Sequence, residues 1–149
     1  MKIYIGYDHR GTKLAFKVME YLVEMGHEVN EPFESEEADD YPDIASIVCE
    51  KVAKERGSRG LLICGTGIGI AMSANRNAKI RAVLAQTEAD AYFSRRHEDA
   101  NVLVLAGGYT DNIMTIKTPK NYEKIIDAFL TTNFEGGRHE RRVKKLELL

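Results

Sequence analysis

The chain has 149 residues, with 44% hydrophobic and 30% charged side chains and a formal net charge of −2. This length and composition predict one globular domain over residues 1–149. The weak charge gives no reason to expect nucleic acid or an anionic membrane as a partner, and no apolar run reaches the roughly 20 residues that span a bilayer. The N-terminal run MKIYIGYD becomes polar too soon for a signal peptide. The two cysteines, Cys49 and Cys64, form neither a disulfide framework nor a zinc spacing, so we expect a cytoplasmic protein.

Apolar runs that suit buried strands alternate along the chain with amphipathic helical patterns. In chain order they predict strand 2–7, helix 12–25, strand 27–30, helix 41–56, strand 60–64, helix 68–77, strand 81–85, helix 88–96, strand 101–106, helix 121–131 and a basic helical tail from residue 136. Alternation of this kind predicts an α/β fold with a doubly wound parallel sheet.

Several details accompany these elements. The apolar face of the first helix is expected to reach Met25 before Gly26 stops the helix. Cys49 lies near the apolar stripe of the second helix and is interpreted as a packed core residue. In the tail, Val143 and Leu146 are available for packing. The acidic run ESEEADD (34–40) is interpreted as a solvated loop rather than a metal site, since nothing nearby supplies the other ligands.

Doubly wound sheets bind ligands in the crevice outside the carboxyl ends of their strands. One predicted strand ends there at Cys64 and continues into Gly65-Thr66-Gly67-Ile68-Gly69, which opens a helix. Glycines allow backbone amides to approach an anion, and the same amides stabilise a thiolate. The run is neither a Walker A loop nor a dinucleotide fingerprint. A tight turn with a packed cysteine remains an alternative to an anion loop with a reactive one.

Other polar residues have two interpretations each. Asp8 and His9 end the first strand and form either a polar turn that caps the next helix or part of a ligand site. His97 lies at a helix end, where it would act either as a charge partner of the helix dipole or as a catalytic acid. Arg138 and Arg142 are four residues apart and therefore share one helix face. They either belong to a solvated basic tail or bind a phosphate group. Together with the glycine loop, these groups suit proton transfer on a small phosphorylated substrate, without a metal or cofactor motif.

In order and combination, the motifs of the chain resemble those of the B-type ribose-5-phosphate isomerases, a family that also holds galactose-6-phosphate and allose-6-phosphate isomerases. The resemblance spans almost the whole chain. It is carried by GYDHRG (6–11), DYPD (40–43), CGTGIGIA (64–71), IRA (80–82), SRRH (94–97), NVL (101–103) and FEGGRH (134–139).

The resemblance implies a Rossmann-like three-layer α/β/α sandwich with a five-stranded parallel sheet and a C-terminal helical extension. It also implies a homodimer, with tetramers as a further possibility, whose active site is completed by both subunits. The reaction would be isomerisation of a sugar phosphate through a cis-enediolate, with no metal and no cofactor. The carbon base would be Cys64, and His97 would open the sugar ring with support from Thr66.

The remaining roles are implied in the same way. Asp8 would move a proton between the two substrate oxygens, and the backbone from Gly65 through Gly67 and Ile68 to Gly69 would hold the oxyanion. The expected substrate-binding side chains are His9, Tyr41, Glu98, Arg138 and Arg142.

The sequence departs from the family pattern at two places. Glu98 stands where asparagine is usual, and Gly107-Gly108-Tyr109-Thr110 stands where an arginine for phosphate is often found. One phosphate cation is therefore either missing or supplied by Arg10 or Lys117. Alternatives to a ribose-5-phosphate isomerase are an isomerase of a six-carbon sugar phosphate and a non-catalytic sugar-phosphate-binding module. A redox protein using Cys49 and Cys64 is disfavoured, because neither belongs to a Cys-x-x-Cys motif.

Overall fold

A single parallel sheet of five strands forms the middle layer of the protein, in the order β2-β1-β3-β5-β4. The structure is a computed structural model that describes residues 1–30, residue 32 and residues 40–148. The acidic residues 34–39 of the predicted solvated loop lie outside this described part. The strands are β1 (Lys2–Tyr7), β2 (Glu28–Val29), β3 (Arg59–Cys64), β4 (Ala82–Leu84) and β5 (Val102–Ala106).

Helices cover both faces of the sheet, which gives the expected three-layer sandwich. They are α1 (Thr12–Glu24), α2 (Tyr41–Lys54), α3 (Ile68–Ala74), α4 (Glu88–Glu98), α5 (Tyr122–Thr131) and α6 (Arg138–Leu146). Alternate side chains of the central strands point to opposite faces. One core therefore joins the strands to α1, α4 and α5, and a second core joins them to α2 and α3. The predicted α/β class and parallel sheet are confirmed.

The first helix shows how local sequence sets an element. Leu14, Val18 and Leu22 recur at helical spacing and are almost fully buried, and each such burial contributes about 1.5–3 kcal/mol. The helix ends where Gly26 adopts φ of +81° and donates its N–H to the carbonyl of Val23. Met25 was expected on the apolar face, but it lies beyond the last helical residue and is 56% exposed.

A small antiparallel hairpin was missed by sequence reasoning. Its strands, β6 (Tyr109–Thr110) and β7 (Thr115–Ile116), have two residues each, too few for an alternating pattern to be recognised. The carboxylate of Asp111 accepts hydrogen bonds from the N–H groups of Ile113 and Met114 at 2.8 and 2.7 Å, which closes the turn. This Asx-type turn positions Tyr109 beside the end of β5.

The C-terminal extension is the predicted helix α6, which packs against α4. Val143 is buried as expected, whereas Leu146 is 45% exposed and does not belong to the core. Cys49 is 1% exposed, and burial raises the pKa of its thiol to about 12, which confirms its interpretation as a core residue. Among the described residues, no helix combines the length and apolar character needed to cross a bilayer.

Candidate active site

Three strand ends meet at Cys64, the last residue of β3. The N–H of Asp8, after β1, donates to the carbonyl of Ile63 at 3.2 Å. The N–H of Gly107, after β5, donates to the carbonyl of Cys64 at 2.8 Å. Because the connections from β1 run first to β2 and then back to β3, the crevice between β1 and β3 is a topological switch point. The fold therefore places Cys64 at the position where such sheets bind ligands.

The thiol of Cys64 is 4% exposed and lies under the glycine loop. The N–H of Gly67 donates to Cys64 Sγ at 3.2 Å, and the backbone amides of Ile70, Gly67 and Thr66 all lower the pKa of this thiol. Burial acts in the opposite direction and is stronger, so the pKa of Cys64 is raised above its ordinary value. The expected stabilisation of a thiolate by the loop is present, but the resting group is a protonated thiol.

This pKa predicts how alkylation of Cys64 depends on pH. In a Cys49→Ala protein, the rate of reaction with iodoacetamide should rise about tenfold per pH unit between pH 7 and 9, because only the thiolate reacts. Mass spectrometry of the modified peptide would identify the site. A rate that levels off below pH 8 would contradict the raised pKa.

The loop depends on a glycine at position 67. Gly67 precedes α3 with φ of +76°, and a Cβ there would lie 2.4 Å from Leu84 Cδ1. A side chain would therefore be strained by the backbone and would displace the end of the Leu84 side chain. These two constraints hold the loop amides over the Cys64 sulfur.

Gly67→Ala should lower the free energy of unfolding by about 1–3 kcal/mol, from a positive-φ penalty and the smaller cost of displacing the Leu84 side chain. Gly57→Ala is a matched control, since Gly57 has φ of +89° and no heavy atom lies within 4 Å of the place that its new methyl group would occupy. That variant should lose only about 1 kcal/mol. Equal losses in urea denaturation of the two variants would show that the contact with Leu84 is unimportant.

Asp8 and His9 form the other wall of the crevice. Asp8 Oδ1 accepts hydrogen bonds from the N–H groups of Arg10 and Gly11 at 2.9 and 3.0 Å. The carboxylate thus closes a polar turn before α1, as one of the two interpretations predicted. It also acts electrostatically on Cys64, whose pKa it raises, so the two groups are close enough to interact. His9 is exposed at the same edge.

Tyr41 and Thr66 complete this side of the crevice. The ring of Tyr41 lies over Gly69, where a Cβ would come within 2.6 Å of Tyr41 Cζ. Thr66 Oγ1 accepts a hydrogen bond from the N–H of Ile68 at 3.2 Å, which orients the hydroxyl within the loop. The predicted residues from β1, the glycine loop and the start of α2 are therefore gathered at the carboxyl edge of the sheet.

The other predicted residues lie at the opposite edge. His97 and Glu98 end α4, which runs antiparallel to its flanking strands, as a crossover helix between parallel strands does. Arg81, just before β4, donates from Nε to the carbonyl of Glu98 at 3.0 Å, so this helix end lies where β4 begins. The five residues of β5 span four residue steps, so the two edges of the sheet are roughly 13 Å apart. One chain therefore does not bring His97 to Cys64.

A compact group surrounds His97. Its ring is stacked on that of His139, with centroids 4.2 Å apart and planes at 4°, and the ring centroid of Phe93 lies 5.1 Å from that of His97 at a tilt of 44°. His139 is 4% exposed, and burial lowers its pKa, so this imidazole is held neutral. Sequence reasoning missed His139 and Glu135, although both lie in the FEGGRH stretch that resembles the family.

Within the described residues, one group has a geometry that could hold a metal ion. It consists of His97, Glu135 and His139, each with one potential ligand atom, and these three atoms lie within 4.8 Å of one another. Two observations oppose a shared ion. The two imidazole rings are parallel, so their nitrogen lone pairs lie in parallel planes and do not converge on one point. The carboxylate of Glu135 already forms an ion pair with Arg96 at 2.6 Å. The contacts of the His97 ring with His139 and Phe93 orient this imidazole.

Arg138 and Arg142 are exposed on α6, while His139 and Val143 of the same helix are buried. The predicted common face of the two arginines is confirmed. Since α6 packs on α4, the arginines belong to the same edge as His97. The structure thus divides the candidate residues into two half-sites. The carboxyl half-site contains Asp8, His9, Tyr41, Cys64 and the loop to Gly69, and the amino half-site contains His97, Glu98, Arg138 and Arg142.

The fold and the site define the class of protein: a doubly wound α/β sandwich with a buried cysteine under a glycine-rich loop at the switch point. The sequence profile of the ribose/galactose isomerase family matches residues 3–146. The chain belongs to this family. It is 40% identical over 146 residues to ribose-5-phosphate isomerase B of Escherichia coli strain K12, which covers 97% of this chain and 93% of the relative.

Solved structures extend the similarity to three dimensions. A ribose 5-phosphate isomerase from Thermotoga maritima superposes with a TM-score of 0.86 at 39% identity, covering 99% of this chain and 98% of that one. Ribose-5-phosphate isomerase B from Mycoplasma genitalium, solved with bound ribulose-5-phosphate, has a TM-score of 0.84 at 37% identity, with 99% and 94% covered. The expected fold family is confirmed.

Proposed function

We propose that this protein interconverts D-ribose 5-phosphate and D-ribulose 5-phosphate by proton transfer, in the non-oxidative branch of the pentose phosphate pathway. The observation that carries the proposal is the position of Cys64, buried at the switch point with a loop amide 3.2 Å from its sulfur. Family membership and the bound ribulose-5-phosphate of the Mycoplasma genitalium relative support the same substrate.

The reaction moves one proton from C2 to C1 and a second proton from O2 to O1. Cys64, once deprotonated, takes the proton from C2 of the open-chain aldose, and the electrons of that bond form the C1–C2 double bond of an enediolate. The same thiol returns the proton to C1. Asp8 takes the proton of the C2 hydroxyl and delivers it to O1, so that C2 becomes the carbonyl and C1 the alcohol.

Backbone amides of the glycine loop stabilise the negative charge that develops on the substrate oxygen. Gly67 is already fixed over Cys64 by its hydrogen bond to Sγ, so little reorganisation is needed when charge develops. The amides of Gly65, Ile68 and Gly69 belong to the same loop. Tyr41, packed on Gly69, lines the sugar pocket.

A second subunit supplies the amino half-site in this proposal. A two-fold dimer would place His97 of one chain over Cys64 of the other, where His97 protonates the ring oxygen beside Thr66. Arg138 and Arg142 would then join His9 at the phosphate, and Glu98 would contact the sugar. The separation of the two half-sites within one chain supports this assembly, since neither half contains all the groups that the reaction needs.

The proposal includes no metal and no cofactor, because each step is a proton transfer between groups of the chain and the substrate. We also propose one isomerase domain over residues 1–149 and a cytoplasmic location. Both cysteines are free and buried, which suits a reducing compartment.

The decisive experiment follows ribose 5-phosphate by NMR in heavy water with a chelator present. Ribulose 5-phosphate carrying deuterium at C1 is expected, because the proton that Cys64 abstracts exchanges with solvent before it is returned. Activity that disappears on chelation would overturn the metal-free mechanism. Turnover of allose 6-phosphate or galactose 6-phosphate alone would assign a six-carbon substrate, and no exchange with any of the three would indicate a binding module.

A further inference from the structure

Arg10 lies between two parts of the carboxyl half-site that come from distant stretches of sequence. Its guanidinium carbon is 4.5 Å from the ring centroid of Tyr109, at the start of the hairpin. Its Cδ lies beside Gly65, where a Cβ would come within 2.9 Å. A side chain that joins the turn after β1, the glycine loop and the hairpin is directed along the crevice rather than away from it.

The platform under Arg10 is fixed to the glycine loop. Gly108 donates its N–H to the carbonyl of Gly65 at 3.0 Å, and Tyr109 is paired with Ile116 across the hairpin. A guanidinium held over an aromatic ring loses less conformational freedom when it binds a ligand than a free side chain does. The position of the charge is therefore set before a substrate arrives.

The charge of Arg10 is also available. In the part of the chain that the structure describes, Arg10 forms no ion pair with a carboxylate, and its side chain is exposed. Oδ1 of its neighbour Asp8 accepts hydrogen bonds from the backbone N–H groups of Arg10 and Gly11. A guanidinium with no carboxylate partner among the described residues is suited to a phosphate group, which accepts two parallel N–H bonds from its planar fork.

We propose that Arg10, positioned by Tyr109, binds the phosphate group of the substrate together with His9 and sets the affinity for it. The inference rests on the proposed function and names the cation that the carboxyl half-site contributes. Lys117 is the competing candidate. It follows β7 with an exposed ammonium group, whereas Arg10 directly borders the loop and offers the bidentate geometry.

The test compares steady-state kinetics of Arg10→Ala, Arg10→Lys and Lys117→Ala with wild type, with inorganic phosphate as competitive inhibitor. Arg10→Ala should raise KM for ribose 5-phosphate and the inhibition constant of phosphate together, by about tenfold to one-hundredfold, as expected for loss of a charge-assisted contact. The value of kcat should stay within about threefold, because the phosphate is remote from the reacting carbons. The KM and the inhibition constant of Arg10→Lys should lie between those of wild type and those of Arg10→Ala.

Two further comparisons separate positioning from general charge. Tyr109→Phe keeps the aromatic ring and should resemble wild type, whereas Tyr109→Ala should raise both constants. Arg56→Ala removes the same charge from an exposed position between α2 and β3, at the other edge of the sheet, and should change neither constant. Unchanged constants in Arg10→Ala, or a rise in Lys117→Ala alone, would overturn the proposal.

Failure of the proposed function would be recognised separately. If wild type does not convert ribose 5-phosphate, binding of inorganic phosphate to the same variants is measured by calorimetry. Weaker phosphate binding by Arg10→Ala than by Arg56→Ala supports the phosphate site on any substrate. Equal binding by the two variants overturns it.

Discussion

Cys64→Ala is expected to lower kcat for ribose 5-phosphate by about a thousandfold or more, because general base catalysis supplies factors of roughly 10²–10⁴ and the thiol serves in both carbon proton transfers. The substitution removes one buried atom from a side chain that is 4% exposed, so the fold should be retained. The measurement is the rate of isomerisation together with loss of deuterium from substrate labelled at C2.

Cys49→Ala is the matched control. It removes the same atom from the core under α2, where Cys49 is 1% exposed, and should leave kcat unchanged. Circular dichroism and thermal unfolding of both variants would show whether either loss is structural. If Cys64→Ala retained most of the turnover of wild type, the carbon base would have to be another group of the crevice. Asp8 would be the first candidate.

Mixing two inactive variants should restore activity. Cys64→Ala lacks the carbon base and His97→Gln lacks the ring-opening acid, so each homodimer has two defective sites. In a hybrid dimer both defects fall in one site, and the other site has an intact Cys64 and an intact His97. Random exchange makes about half of the dimers hybrids, which predicts about a quarter of wild-type activity per subunit.

The control mixes Cys64→Ala with Asp8→Asn. Both residues belong to the carboxyl half-site, so each site of a hybrid retains one defect and activity should stay low. Sedimentation would verify that the subunits are associated and exchanged. Absence of recovery in the first mixture, with exchange demonstrated, would place His97 and Cys64 in separate functions and overturn the shared site.

The strand and helix order was predictable because burial patterns are local. Leu14, Val18 and Leu22 recur at the period of a helix, and the strands of a parallel sheet are continuous apolar runs. The predicted ends of the helices and strands were less accurate than their order. The helix predicted to reach residue 77 stops at Ala74, and the strand predicted over 81–85 is Ala82–Leu84. End positions depend on capping and pairing with distant segments, which periodicity does not contain.

For the candidate site, sequence reasoning identified residue types and not their distribution in space. Cys64 and its loop follow from the rule for strand ends. No local pattern indicates that α4 carries His97 to the far edge of the sheet, because that follows from the direction of the crossover. The contact of Arg10 with Tyr109 joins residues 99 positions apart and arises from a hairpin too short to leave a pattern. The balance of burial and amide hydrogen bonds at Cys64 likewise depends on the packed structure.

The raised pKa of Cys64 has a consequence for survival of the protein under oxidative stress. Hydrogen peroxide attacks thiolates and accessible sulfur, and the resting thiol of Cys64 is protonated and covered by the loop. Formation of sulfenic acid should therefore be slow in the absence of substrate. Burial makes the Cys64 thiol a weaker acid, and the same burial protects its sulfur from oxidation between turnovers.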